Sequence, residues 1–431
     1  MRGWKHMDQT RISDYDSEIE DSKSEDWTFS GADTKYFTHG LHPYPARMIP
    51  QIVNRLLNLY SNPTDLIWDP FCGSGSTLVE SMLSKRQSIG TDLNPFAIFL
   101  SRVKTRPISP TKLKESKSNV FDRMHQLKKE QKRFDPPKMP NIDYWFASDV
   151  QLDLGIIRHA IDSISNESIR NFFLLCLSST VRDVSYLKKR EFKIVRMKKE
   201  KMKVFKPDVL SSFISHVDRC IPLMAGFKRN LPESYFQPEI IEIDNRDTPI
   251  ESESIDLIIT SPPYGDHSTT VAYGQFSRYP ALWIGLELES VKTVDKRGLG
   301  GRAKREYDQN ALESDILDLT FSAIRKRSKK RARDFYNFFF ELNQSLMEMF
   351  RTLRENSVAC IVVGNRSMSR IRIPTNLIIV ELGERIGFTH ERTIGRDIPT
   401  KRMPWQNAPE NIEGVSADTM HTENIVILRK T

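Results

Sequence analysis

Within about forty residues this chain runs strand, glycine turn, helix, strand and helix, an order that a parallel sheet accommodates. Asp65 to Asp69 (DLIWD) is a short apolar strand that passes directly into Gly73-Ser74-Gly75. Ser76 to Ser84 has helical spacing, and Gln87 to Asp92 (QSIGTD) is a second strand. Asn94-Pro95 ends that strand and opens a helix to about Lys104. The same rhythm returns late in the chain. Glu239 to Asp244 (EIIEID) and Ile255 to Thr260 (IDLIIT) read as strands, followed by a long helix from Asp334 to Leu353 and the strand Val358 to Val363. Pro374 suits the first turn of another helix ending at Gly387, and Phe388 to Ile394 and Asn424 to Leu428 are closing strands. The expected architecture is a doubly wound α/β sheet of about seven strands, the last one hairpin-paired.

Two stretches depart from this rhythm. Residues 110–235 give mostly helical patterns, with a Pro-rich link at Asp135 to Pro140, and read as an insertion. Residues 286–333 read as a second, irregular and basic region. Before the sheet, Pro45 to Tyr60 has the spacing of an amphipathic helix, and residues 1–34 read as an acidic disordered tail. The sheet-forming body is therefore expected in 35–109 and 236–431.

Charge is segregated along the chain. The net charge is +8, yet Asp14 to Asp33 holds eight acids and one lysine. Tyr186 to Lys206 holds ten basic and two acidic residues, and Arg325 to Arg333 holds seven basic residues without an acid. Either block alone reads equally well as a solvated helix face; two in one chain point to a polyanionic partner. At 39% apolar residues the chain can bury a core, and no run approaches the eighteen or so apolar residues of a membrane span. MRGWKHMDQT lacks an apolar signal region, and the four cysteines form no CxxC pair. A reducing cytoplasm without a zinc ribbon or disulfide framework is the expectation, and no metal site is expected.

The chemistry concentrates in three short segments. In DPFCGSGST, Asp69 to Thr77, Gly73 and Gly75 let the backbone approach a ligand closely. The segment lacks the lysine of a triphosphate-binding loop, and Leu78 stands where a dinucleotide fingerprint has its third glycine. Asp92, ending the second strand, is placed to accept both ribose hydroxyls of a nucleoside cofactor or to cap the next helix. Thr260-Ser261-Pro262-Pro263-Tyr264-Gly265 follows the IDLIIT strand at the sheet end where open α/β folds bind ligands. Pro262 and Pro263 remove two amide donors and leave carbonyl acceptors. The Ser261 hydroxyl and a proline carbonyl can accept both hydrogens of an exocyclic amine, and Tyr264 offers a flat face to a planar base.

These segments resemble the amino-directed DNA methyltransferases, specifically the cytosine-N4 group of bacterial modification methylases. The 69–77 motif is similar to the S-adenosylmethionine loop, TDLNP (91–95) to the ribose-binding turn, and TSPPYG to the catalytic motif in its serine form. FTHGLHPYPARMIP (37–50) resembles the segment that closes over the methionine end of the cofactor. TTVAYGQFSR (269–278), VVGNR (362–366) and IPTKRMP (398–404) are also similar to members of this group. Ser76 departs from the pattern, standing where threonine is usual. The resemblance implies a Rossmann-like methyltransferase sheet and S-adenosyl-L-methionine as cofactor. It implies cofactor contacts from Phe37, His39, Asp69, Pro70, Phe71, Gly73, Gly75, Thr77, Asp92, Leu93, Asn94 and Asp244, and catalysis by Ser261, Pro262, Pro263 and Tyr264.

The implied partner is double-stranded DNA with a flipped cytosine, and a cognate restriction endonuclease would complete a restriction-modification system. The insertion 110–235 would grip DNA through Lys188, Lys189, Arg190, Arg196, Lys198 and Lys199. Residues 286–333 are the rival for reading sequence, with Arg325, Lys326 and Arg327; Lys401 and Arg402 also belong to the expected DNA surface. Alternatives are an adenine-N6 enzyme, which an Asp- or Asn-Pro-Pro-Tyr motif would favour over Ser261, an RNA amino group as target, or an inactive nucleic-acid-binding protein on the same fold. A ring-carbon methylase would need a Pro-Cys pair, which is absent.

Overall fold

The computed structural model describes residues 26–189, 191–268, 270–301, 307–308, 311–398, 406–407, 417–418 and 422–431. Arg190, Lys401, Arg402, most of the acidic tail and most of the 398–404 motif lie outside the described residues.

The first half of the sheet follows the expected rhythm. Helix α1 (Pro50–Tyr60) precedes β1 (Leu66–Asp69), α2 (Ser76–Leu83), β2 (Gln87–Asp92) and α3 (Pro95–Lys104). Helix α1 starts five residues later than the apolar pattern suggests, because Pro50, without an amide hydrogen, occupies its first turn. The insertion contributes α4 (Pro110–Lys129), α5 (Ser148–Asp162), α6 (Glu167–Val184) and α7 (Val209–Asn230). The sheet resumes with β3 (Glu239–Glu242) and β4 (Ile255–Thr260).

Helix α8 (Tyr273–Trp283) precedes the stretch expected to be irregular, whose described residues are largely helical instead: α9 (Leu288–Arg297), α10 (Asp315–Arg327) and the start of α11 (Lys329–Thr352). Buried Ile316, Leu317, Phe321 and Ile324 give α10 an apolar face that the surrounding charges obscure in sequence. The long helix begins at Lys329, with the Ser328 hydroxyl accepting the Arg331 N–H at 3.3 Å, so the 325–333 basic block straddles a helix junction. Strand β5 (Leu353–Gly364), helix α12 (Thr375–Ile386), β6 (Phe388–Asp397) and β7 (Thr422–Lys430) close the chain.

The main sheet has seven strands in the order β3-β2-β1-β4-β5-β7-β6. Pairings from β3 through β5 are parallel, and β7 is antiparallel to both β5 and β6. Alternation along the central strands sends side chains to opposite faces. Ile67, Leu257 and Ile259 pack with Ile52, Val53, Leu56 and Leu57 of α1 on one face. Trp68 and Ile258 pack with Phe335, Phe339 and Leu342 of α11 on the other. The insertion shares a core with the sheet's own helices, since Phe172, Phe173 and Phe213 cluster with Phe96 and Leu100 of α3. Strand order reverses between β1 and β4, so the loops leaving their carboxyl ends diverge and leave a cleft between them. Among the described residues no helix is long and apolar enough to cross a membrane.

Candidate active site

The turn after β1 takes the shape its glycines allow. Gly73 has φ +50° and Gly75 φ +80°, and a Cβ on Gly75 would stand 3.0 Å from the Ser101 hydroxyl oxygen. The Gly73 N–H donates to Asp92 Oδ2 at 2.9 Å, while the Ser101 hydroxyl donates to the Gly73 carbonyl at 2.8 Å. Asp92 Oδ1 accepts the Asn94 N–H at 2.8 Å, and the cap of α3 falls to Asn94, whose side chain accepts from Phe96. Both Asp92 oxygens therefore hold the loop and retain further lone pairs for a ligand. Burial pushes the carboxyls of Asp69 and Asp92 up to about 6.

The turn and the loop after β4 open on one cleft. Of the expected cofactor residues, Asp69, Pro70, Phe71, Gly73, Asp92, Leu93, Asn94 and Asp244 line it. Ser74 and Ser76 also line it, and their buried hydroxyl oxygens have no protein partner. Acidic carboxylates beside free hydroxyls suit a ligand with a ribose, an ammonium and a carboxylate, so the residues fit the cofactor that the resemblance implies. Gly75 and Thr77 support the cleft from behind, Gly75 against Ser101 and Thr77 by donating to the Ile259 carbonyl at 3.4 Å.

Phe37 and His39 are not among the residues lining the cleft. His39 is buried against Glu80 at 2.8 Å, beside the Tyr36 hydroxyl that donates to the same carboxylate at 2.6 Å. Phe37 packs on α7 at Gly226. The same segment reaches the cleft later, through Tyr44, Pro45 and Arg47. Tyr44 stacks on Tyr273 with ring centroids 5.8 Å apart, and its oxygen accepts from Asn94 Nδ2 at 3.1 Å. The proline-rich HPYPARMIP run is the available signal for Tyr44, and Tyr273 lies in the TTVAYGQFSR run, although neither run shows that the two rings meet. Asp244 lies at the cleft wall in a pair with Arg246, which also reaches Glu341 at 3.1 Å.

Ser261, Pro263 and Gly265 line the cleft opposite the glycine turn, whereas Pro262 and Tyr264 are not among its lining residues. Tyr264 packs against the α11 side of the core, and its hydroxyl donates to Glu423 Oε1 at 3.0 Å. Ser261 Oγ donates to the Tyr264 hydroxyl oxygen at 3.4 Å. The Tyr264 ring is half-buried against this core, and its phenol is tied to the half-buried Glu423 across the sheet. The loop is anchored to β1 by the Thr260 hydroxyl, which donates to Asp69 Oδ1 at 2.7 Å.

The two basic blocks meet at Ser268, just beyond the Ser-Pro-Pro-Tyr turn. Lys193 Nζ donates to the Ser268 carbonyl at 2.9 Å, and Arg331 Nη1 donates to its hydroxyl at 2.9 Å. The 186–197 segment is pinned further where the Ile194 N–H donates to Gln275 Oε1 at 3.1 Å. Lys188, Lys189, Lys198, Lys199, Arg325, Lys326 and Arg327 are exposed. Lys188 pairs with Glu191 at 2.6 Å, Arg327 donates to the Ser369 carbonyl at 2.7 Å, and half-buried Arg196 lies over the Tyr144 ring at 3.7 Å.

A family model described as DNA methylase, of the N6/N4 class, matches residues 5–101, which include the glycine turn. The chain is 34% identical over 425 aligned residues to the Type II methyltransferase M.MvaI of Kocuria varians, covering 93% of each chain. It is 24% identical over 374 residues to the Type II methyltransferase M.MjaII of Methanocaldococcus jannaschii, covering 65% of this chain and 68% of that one. A third likeness, 44% over 54 residues to M.EcaI of Enterobacter cloacae, spans 12% of each. With a full-length relative at that identity and a cleft that suits the cofactor, this chain belongs to the amino-directed DNA methyltransferases and takes its methyl group from S-adenosylmethionine.

Proposed function

We propose that the enzyme methylates the exocyclic N4 amine of cytosine in double-stranded DNA, as the modification half of a restriction-modification system with a cognate endonuclease. The observation that carries this reading is the placement of Ser261 in the cleft wall with its hydroxyl hydrogen directed to Tyr264, which leaves its lone pairs for an amino group. The cytosine amino lone pair is delocalised into the ring and is a poor nucleophile. Acceptors at Ser261 and the Pro262 carbonyl hold the two amino hydrogens and favour a tetrahedral nitrogen, which localises that lone pair. S-Adenosylmethionine, when bound, supplies a methyl group on a cationic sulfonium. Transfer to the amine would form the nitrogen–carbon bond as the carbon–sulfur bond breaks, leaving a neutral thioether, and the surplus amine proton would leave to solvent. The protein's share is positioning, with Asp69, Asp92, Ser74 and Ser76 around one reactant and the Ser-Pro-Pro-Tyr turn around the other.

An amine inside a duplex cannot reach this cleft, so the target cytosine is flipped out of the stack. The convergence of Lys193 and Arg331 on Ser268 supports a DNA path across the mouth of the catalytic loop. In this reading the insertion 110–235 grips the backbone and the 286–333 segment contributes to sequence reading from the other side. The test is nucleoside mass spectrometry of duplex DNA incubated with the enzyme and methyl-labelled cofactor. Labelled N4-methylcytosine is the expected product. Labelled N6-methyladenine overturns the cytosine assignment, and unlabelled DNA favours an inactive binding protein.

A further inference from the structure

The serine form of the catalytic motif raises a chemical difficulty. A serine hydroxyl is both donor and acceptor. If it donates toward the target amine, it opposes the localisation of the nitrogen lone pair. The structure contains a device that removes this freedom. The Ser261 hydroxyl donates to the Tyr264 oxygen at 3.4 Å, and the Tyr264 hydroxyl donates to Glu423 Oε1 at 3.0 Å. Glu423 lies 159 positions further along the chain, at the start of β7, in register with Gly364 of β5 and Arg396 of β6. Its other carboxylate oxygen is held by the Arg396 guanidinium, which also donates to the Trp27 carbonyl at 2.9 Å and the Thr28 carbonyl at 3.3 Å. The Glu423 end of the chain of bonds is therefore fixed by the sheet, and Ser261 directly follows the last residue of β4.

We infer that Glu423 is a positioning residue for methyl transfer, acting through Tyr264 to hold the Ser261 hydroxyl as an acceptor facing the target amine. The carboxylate has no proton to give, so the phenol must donate to it, and the phenol oxygen is left to receive the serine proton. Ser261 Oγ then presents only lone pairs to the cleft. Bonds in such a chain polarise one another, so the Glu423 charge also makes the serine oxygen a stronger acceptor. Burial and the neighbouring carboxylate raise the Tyr264 phenol well above its ordinary range, which keeps its proton in place. The common direction of donation distinguishes this arrangement from an ordinary loop tie, because reversing the Ser261–Tyr264 bond would free the serine hydrogen to lie between Ser261 and the amine. The inference rests on the proposed role of Ser261.

The test is a double-mutant cycle on single-turnover methylation, with Tyr264→Phe, Glu423→Gln and the pair combined. Cofactor titration and melting curves are run on each variant. Each single change should slow methyl transfer by on the order of tenfold, with cofactor affinity within about twofold of wild type. The combined variant should be no slower than the slower single one, because both break the same chain. Tyr264→Phe leaves the Glu423–Arg396 pair intact, so it decides the question alone if Glu423→Gln fails to fold. Wild-type rates in Tyr264→Phe overturn the inference, as do single effects that multiply in the combined variant. Product identity is read in the same reactions. Methylated adenine in wild type overturns the cytosine assignment while the rate comparison still judges the chain from Glu423 to Ser261.

Discussion

The Thr260 hydroxyl donates to Asp69 Oδ1 at 2.7 Å, joining the carboxyl ends of the two strands that lead into the glycine turn and the Ser-Pro-Pro-Tyr loop. Both residues are buried, Thr260 at 0% and Asp69 at 3% exposure. Thr260→Val keeps the shape and removes the donor. It should destabilise the protein by about 1–3 kcal/mol, the cost of leaving a buried carboxylate short of a partner. Urea unfolding measures this, and an unchanged midpoint would show that Asp69 finds another donor.

Asp92→Ala takes away the acceptor for the Gly73 and Asn94 amides, and with it the acceptor proposed for the ribose hydroxyls. Cofactor affinity should fall by roughly 1–3 kcal/mol. Calorimetry on the purified variant checks this, with Asp92→Asn as the comparison that retains one acceptor. Equal affinity in wild type and Asp92→Ala would reject the ribose contact.

The raised carboxyls of Asp69 and Asp92 set a pH dependence. Each has a folded pKa of about 6 from an ordinary value of 3.8. The folded state therefore binds these protons more tightly than the unfolded chain does. Their contribution to cofactor-free stability is fully present below the ordinary carboxylate range and is lost as pH rises through 6. Cofactor binding runs the other way, because a cationic ligand favours the ionised carboxylates. The increment in melting temperature produced by the cofactor should grow between about pH 5 and 7, and should grow less in Asp92→Asn. A constant increment across that range would contradict the assignment.

Replacing Lys188, Lys189, Lys198 and Lys199 with glutamine should weaken DNA binding without regard to sequence. The slope of log affinity against log salt should shrink by roughly 0.9 for each phosphate that is no longer neutralised. Filter binding at several salt concentrations measures both quantities. A wild-type slope would return this block to the role of a solvated surface.

Ser261→Ala should separate binding from chemistry. Methyl transfer should fall by at least about tenfold while cofactor affinity stays nearly constant, since the missing acceptor matters as the nitrogen becomes tetrahedral. Single-turnover rates beside cofactor titration distinguish this from a purely structural role, in which both would decline together with the melting temperature.

The parts of this enzyme legible in its sequence are those encoded in neighbouring residues. The glycine turn, Asp92 at a strand end and the TSPPYG loop depend on backbone freedom and strand alternation within a few positions. The sheet follows because apolar strands alternating with amphipathic helices can bury their faces in few ways. Helices α9 and α10 are hidden because their charged faces dominate the local composition while only a few side chains face inward.

Tertiary structure decided the encounters between distant segments. It turned His39 to Glu80 and brought Tyr44 to Tyr273 instead. It brought Lys193 and Arg331 together on Ser268, and it placed Glu423 behind Tyr264. None of these pairs has a signature in its own neighbourhood. Each depends on strand order, on the antiparallel entry of β7 between β5 and β6, and on how α6 and α11 pack beside the loop. A side chain's partner is set by the orientation of whole elements, and that orientation arises from the packing of the entire core rather than from any short run of residues.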